Sequence, residues 1–155
     1  MSFYHIYFEQ KIPQSLDVVW DFIANPKNLA LITPPSMGLD ITSKDLPEKI
    51  YTGMIISYII KPLFGLKMLW LTEIKHLKER EYFVDEQRAG PYKLWHHQHK
   101  LTQFDGYVLM SDIVTYKPPY GLLGTIANSL VIRNKLDEIF RFRKEALEKK
   151  FGKIA

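Results

Sequence analysis

The sequence contains no cysteine. That excludes a disulfide framework, a thiolate metal centre and a cysteine nucleophile together, and it fits a reducing compartment such as the cytoplasm. Unbroken apolar runs are lacking as well. The greasiest window, Gly53 to Leu71, is interrupted by Lys61, Pro62, Gly65 and Lys67, and charge in the middle of a membrane span is costly. Two strands joined by the turn PLFG explain this window better than a span. The opening MSFYHIYFEQKI has no basic segment followed by an apolar run, so no signal peptide is expected and the location read from the sequence is cytoplasmic. No glycine-rich phosphate loop or obvious nucleophile stands out, which leaves histidine and carboxylate as the reactive candidates.

What the chain does have is the make-up of one soluble domain: 155 residues, 46% hydrophobic and 25% charged. Aromatic residues, at 14%, exceed what a plain core of this size requires and suggest a lined cavity. The formal charge of +4 raises the question of nucleic acid. Its lysines and arginines are spread out and concentrate on one terminal segment without a basic-aromatic groove, so no nucleic-acid partner is expected. A monomer or homodimer is expected.

Periodicity gives the element order. Tyr4, Ile6, Phe8 and Ile12 alternate as in a strand over 3–12, and Pro13 ends it. Ser15 is placed to cap a helix carrying Leu16, Val19, Trp20 and Ile23, with Trp20 and Phe22 read as core. A second short helix runs from Pro26 to about Leu31. Strands follow near 38–45, 50–61, 66–78, 81–88, 92–103 and 107–117, separated by DLPEK, PLFG, RAGP and FDG. KPPYGLLG then leads into one long helix, from Gly124 or Thr125 to about Lys150, with an apolar stripe at Ile126, Leu130, Leu136, Ile139, Phe140, Leu147 and Phe151. That stripe needs a surface, and the sheet is the only large one, so the expected fold is α+β: a curved antiparallel sheet of about seven strands with a long C-terminal helix across it.

In this order and spacing, four stretches resemble the START-like, or SRPBCC, superfamily and its bacterial small-molecule-binding branch. They are IPQSLDVVWDFIANPKNLALITPP, FVDEQRAGPYKLWHHQHKL, SDIVTYKPPYGLLG and the terminal IFRFRKEALEKKF. The resemblance covers nearly the whole chain as a single domain. It implies the helix-grip fold and a cavity between sheet and long helix for an apolar or amphipathic small molecule of lipid, polyketide or aromatic type. It does not imply one reaction, because a fold hosts many functions.

The segment LWHHQHKL holds three of the five histidines. Strand alternation puts Trp95, His97, His99 and Leu101 on one face and His96 on the other. With Asp105-Gly106 as a two-residue hairpin turn, Leu101 faces Met110, His99 faces Asp112, His97 faces Val114 and Trp95 faces Tyr116. Asp85 and Gln87 on the neighbouring strand share a face and would join the histidines and Asp112 in one inward polar band. Ligand contacts are therefore expected from Trp95, His97, His99, Asp112, Asp85 and Gln87. Tyr116, Tyr120, Leu136 and Phe140 complete the wall, with the KPPYGLLG loop as a gate or a rigid connector. Met54, Met68 and Met110 read as gap-fillers.

Three chemistries compete for the band. It can be a hydrogen-bonded network that orients a ligand. It can be an acid/base site of a cyclase, dehydratase or isomerase, built on the pair His99 and Asp112 with His97 beside it. Or His97 and His99, with Asp112 or Asp85, can hold a metal, although an H-x-H pair alone is a weak signal. The binding reading leads, and no cofactor or metal is expected. A basic helix face docked on a membrane or an acidic partner is a further alternative.

Overall fold

The computed structural model describes residues 3–62 and 64–154; Leu63 of the PLFG turn lies outside them. In chain order the elements are β1 (Tyr4–Ile12), α1 (Leu16–Ile23), two 3-10 segments (Pro26–Ile32 and Pro35–Met37), β2 (Asp40–Ile41), β3 (Ile55–Ile60), β4 (Met68–Lys78), β5 (Tyr82–Ala89), β6 (Leu94–Phe104) and β7 (Tyr107–Lys117). Three helical pieces close the chain: α2 (Gly121–Ala127), a π-helical segment (Asn128–Ile132) and α3 (Arg133–Phe151). The strands form one sheet in the order β1-β7-β6-β5-β4-β3-β2, each neighbouring pair antiparallel. Among the described residues, no helix is long and apolar enough to cross a membrane. The Gly53 to Leu71 window contains β3 and the start of β4.

The β6–β7 hairpin has the expected register. Gly106 takes the left-handed φ of 77° that the tight turn requires, and Phe104 pairs with Tyr107, Leu101 with Met110, His99 with Asp112, His97 with Val114 and Trp95 with Tyr116. Two irregularities fall instead on β4, between Leu71 and Thr72 and between Ile74 and His76. Phe64 and Gly65, both at positive φ (52° and 69°), carry the chain from β3 towards β4.

Several boundaries differ from the periodicity. Ser15 precedes α1 in an extended conformation but makes no side-chain cap; the Leu16 N–H donates to Oε1 of Gln103 at 2.9 Å instead. The strand expected over 38–45 is reduced to Asp40–Ile41, and the one over 50–61 to Ile55–Ile60. Backbone groups of residues 50–53 are used elsewhere: Ile50 N–H donates to the Ala24 carbonyl and Gly53 N–H to that of Ile74. The first anchors the loop to the end of α1, and the second, with the Ile74 N–H donating to the Met54 carbonyl, ends the β3–β4 ladder irregularly.

The terminal helix begins at Gly121, earlier than its stripe suggested, and the π-helical segment interrupts it. Leu136, Phe140 and Leu147 are buried as expected, whereas Ile126 and Leu130 are exposed. An extra residue in a π turn advances the helix phase by about 100°, which takes Ile126 off the face that α3 presents to the sheet. α3 lies over the concave side with one apolar cluster at each end. The first gathers Trp20, Phe83, Met110 and Leu147; the second gathers Trp70, Trp95, Tyr116, Leu136 and Phe140.

Gly124 explains the turn into the helix. A Cβ there would sit 1.9 Å from the Pro119 carbonyl oxygen, a contact that cannot be relieved by a side-chain rotation. Gly124→Ala is therefore expected to destabilise the fold by about 1–3 kcal/mol, read as a lower urea midpoint.

Candidate functional site

Between sheet and helices lies a cavity of about 840 Å³. Its lining is mostly apolar, with Leu29, Ile32, Ile56, Ile60, Trp70 and Phe83 among its walls. The excess of aromatics noted in the sequence is concentrated here: Trp70 meets Trp95 edge-on at 5.2 Å and Tyr92 at 5.7 Å, and Tyr58 stacks on Trp70 at 6.1 Å. Phe64, Leu66, Tyr120 and Leu123 line the cavity yet are 87%, 66%, 83% and 72% exposed. They form its mouth, between the β3–β4 connection and the start of α2.

A charged cluster interrupts the apolar wall. His97 and His99, two residues apart on β6, point the same way, and their rings lie 3.7 Å apart. Phe83 covers the far side of His99 at 4.1 Å, and Phe140 meets the edge of His97. The backbone register opposes His99 to Asp112 and His97 to Asp85, but the shortest side-chain contacts are crossed. His97 Nε2–H donates to Asp112 Oδ1 at 2.7 Å, and His99 Nε2–H donates to Asp85 Oδ2 at 2.6 Å. His99 Nδ1 is 3.1 Å from Asp112 Oδ1, and His97 Nδ1 is 3.7 Å from Asp85 Oδ2. From α3, Arg143 Nη1–H donates to the same Asp112 oxygen at 3.1 Å.

These partners divide the two imidazoles. Both ring nitrogens of His99 face carboxylate oxygens; although burial opposes its charge, the bonds to Asp112 and Asp85 prevail and raise its pKa. For His97, burial and then the charge of His99 prevail over the Asp112 bond, and its pKa falls to about 4. Burial raises both carboxylates, yet Arg143 and the histidines hold Asp112 well below its ordinary value, and the histidines lead in lowering Asp85. With His99 protonated, two carboxylates, one guanidinium and one imidazolium cancel. A charge-balanced cluster is the form in which buried ions are tolerable.

Of the residues singled out in the sequence, Trp95, His97, His99, Asp85, Tyr120, Leu136 and Phe140 line the cavity. Asp112 lies behind the histidines and is absent from the lining. Tyr116 is fully buried among Tyr4, Tyr92 and Trp95, also away from the cavity surface. Gln87 departs furthest from its expected place in the band. Its amide ties down the β5–β6 turn, accepting from Tyr92 N–H at 3.1 Å and donating to the Tyr92 carbonyl at 2.6 Å. His96 is on the outer face, within 2.9 Å of Glu86. Phe22 and Met110 are buried and also reach the cavity, Met68 lines it while partly exposed, and Trp20 and Met54 are core.

Sequence reading missed Arg143, Tyr58, Thr72 and Trp70. Arg143 had a signal: it falls between Phe140 and Leu147 in the series Leu136, Phe140, Arg143, Leu147, a cation on the buried stripe. The hydroxyls of Tyr58 and Thr72, 2.7 Å apart, had none, because which strand face turned inward depended on irregularities in β4.

No family model matches the sequence, and no curated protein matches it significantly. Solved structures do match in shape. A Chromobacterium violaceum protein superposes with a TM-score of 0.72 over 97% of this chain and 98% of its own, at 12% identity. A Thermus thermophilus protein does so with a TM-score of 0.69 over 95% and 96%, at 14% identity. Ginseng major latex-like protein 151 from Panax ginseng gives 0.67 over 96% and 97%, at 12% identity. The chain has the helix-grip fold. Within that fold, the charged cluster sits where the sheet meets the gripped helix.

The titrations give stability a definite pH profile. Between pH 6.5 and about 4 the unfolded chain protonates its counterpart of His97 while the folded chain does not, so stability falls as pH is lowered through this window. The depressed carboxylates lose their contribution on the same acid side. His99, raised, contributes fully below 6.5 and loses its contribution as pH climbs through its folded value. Urea unfolding at pH 7, 5.5 and 4.5 is expected to show the acid decline in the parent protein and a shallower one in His97→Phe.

Proposed function

We propose that this protein binds an amphipathic small molecule, with its apolar body in the cavity and its acceptor-bearing head against the cluster of Asp85, His97, His99 and Arg143. The observation that carries this reading is the cavity of about 840 Å³ itself, mostly apolar in its lining and interrupted on one wall by the polar side chains of Asp85, His97, His99 and Arg143. An apolar space with a few placed polar groups suits a molecule that is itself apolar with one polar end. The volume is within the range that takes a drug-sized or lipid-sized molecule. The resemblance to the START-like superfamily points the same way.

The enzyme reading, a cyclase, dehydratase or isomerase built on His99 and Asp112, has weaker support. Both nitrogens of His99 are engaged by carboxylates, and Asp112 is shielded behind the rings. His99 lines the cavity but has no unengaged nitrogen, and Asp112 is not in the lining, so neither offers a free base to a substrate.

Titration with 8-anilinonaphthalene-1-sulfonate, an apolar probe with an anionic head, tests the binding reading. Saturable binding is expected, with quenching of tryptophan fluorescence because Trp70 and Trp95 line the cavity. Leu136→Trp, which fills the space, is expected to weaken it at least tenfold while circular dichroism stays unchanged. Binding that does not saturate, or that survives in a folded Leu136→Trp, would sink the proposal.

A further inference from the structure

The cluster has a second property that its role as a polar wall does not use. Its ring nitrogens fall into two sets. His97 Nε2 and His99 Nδ1 both face one oxygen of Asp112, at 2.7 and 3.1 Å, and Arg143 holds that oxygen from the other side at 3.1 Å. The opposite nitrogens, His97 Nδ1 and His99 Nε2, converge on Asp85. One ligand atom from each of Asp85, His97 and His99 lies within 4.8 Å of the others. All three residues line the cavity and Asp112 does not.

We propose that Asp85, His97 and His99 form a binding site for one divalent transition-metal ion, with Asp112 and Arg143 as its supporting shell. In metal centres a ligating histidine characteristically donates its other ring N–H to a carboxylate, which fixes the ring's orientation. Here a single carboxylate does this for two imidazoles at once. A network meant only to neutralise His99 does not require His97 to be aligned in the same way, with its second nitrogen also turned towards Asp85.

The two separations from Asp85 fit with little movement. Metal bonds of about 2.0–2.1 Å meeting at octahedral to tetrahedral angles separate two ligand atoms by about 2.9–3.4 Å. His99 Nε2 and Asp85 Oδ2 are 2.6 Å apart and His97 Nδ1 and Asp85 Oδ2 are 3.7 Å apart, so the required spacing lies between the two. The ion takes the place of the proton between His99 and Asp85. Two imidazoles and one carboxylate favour zinc, cobalt, nickel or ferrous iron over the all-oxygen shells of calcium and magnesium. Three protein ligands leave coordination positions open, and these face the cavity. An ion that replaces one proton adds one positive charge to the cluster, which favours an anionic or hydroxide ligand in an open position. The site does not rest on the proposed organic ligand and can be tested without one.

The test uses protein stripped with a chelator and titrated with zinc by calorimetry and with cobalt by visible absorption. One ion per chain is expected, with ligand-field bands for cobalt. Asp85→Asn, nearly isosteric, and His99→Gln are each expected to weaken binding at least tenfold, and Asp112→Asn by about 10- to 100-fold. His96→Gln, which alters the outer-face histidine, is expected to change nothing. Absence of saturable binding, retained affinity in Asp85→Asn, or loss of affinity in His96→Gln would each overturn the proposal. Circular dichroism reports whether each variant is folded; if His99→Gln is not, Asp85→Asn decides.

Discussion

One carboxylate organises this molecule. Asp112 is 5% exposed, and an ionised group that deep persists only where several donors meet it. Three do: His97 and His99 from β6, and Arg143 from α3. Because those donors belong to the sheet and to the helix gripped by it, satisfying a single oxygen also fixes how α3 lies across the strands. Removing the carboxylate would leave a buried guanidinium without its counter-charge and two imidazoles without the contact that sets their tilt.

The cavity follows from how the rest of the core is distributed. One cluster, with Trp20, Phe83 and Leu147, closes one end of the space under the helix; the other, with Trp70, Trp95 and Leu136, closes the opposite end. Large aromatic rings packed edge to face make walls that do not collapse inwards. An opening of this size inside a 155-residue chain forgoes packing that a filled core would have had, and the molecule accepts that loss on the side where its charged cluster lies.

Much of this could be read in the sequence, and the reasons are local. Asp105-Gly106 fixes the β6–β7 register to the residue, which sets His99 opposite Asp112 and turns His96 away. Alternation along β6 did the rest. Three things were hidden. The late start of β3 goes with backbone bonds from Ile50 to the end of α1 and from Gly53 to Ile74, which no periodicity records. Gln87 shares a face pattern with Asp85, but the turn at Tyr92 takes its amide. Arg143 was visible only as an interruption of a hydrophobic stripe, and such a cation reads as solvated until the carboxylate beneath it is known. Register also did not predict that the imidazoles would reach diagonally to carboxylates one pair away.

The π-helical segment at Asn128–Ile132 bears on how this chain can change over evolutionary time. Loops of a helix-grip fold tolerate added or lost residues because nothing downstream depends on their length. Here the spacing between the mouth and the cluster is counted in single residues. Deleting one from the π turn would let the backbone relax to a regular α-helix, yet it would rotate α2 against α3 by about 100°. Either the greasy mouth or Arg143 would then face the wrong way. Ile132, buried at the end of that turn and part of the cavity wall, ties the segment's length to the packing on either side of it.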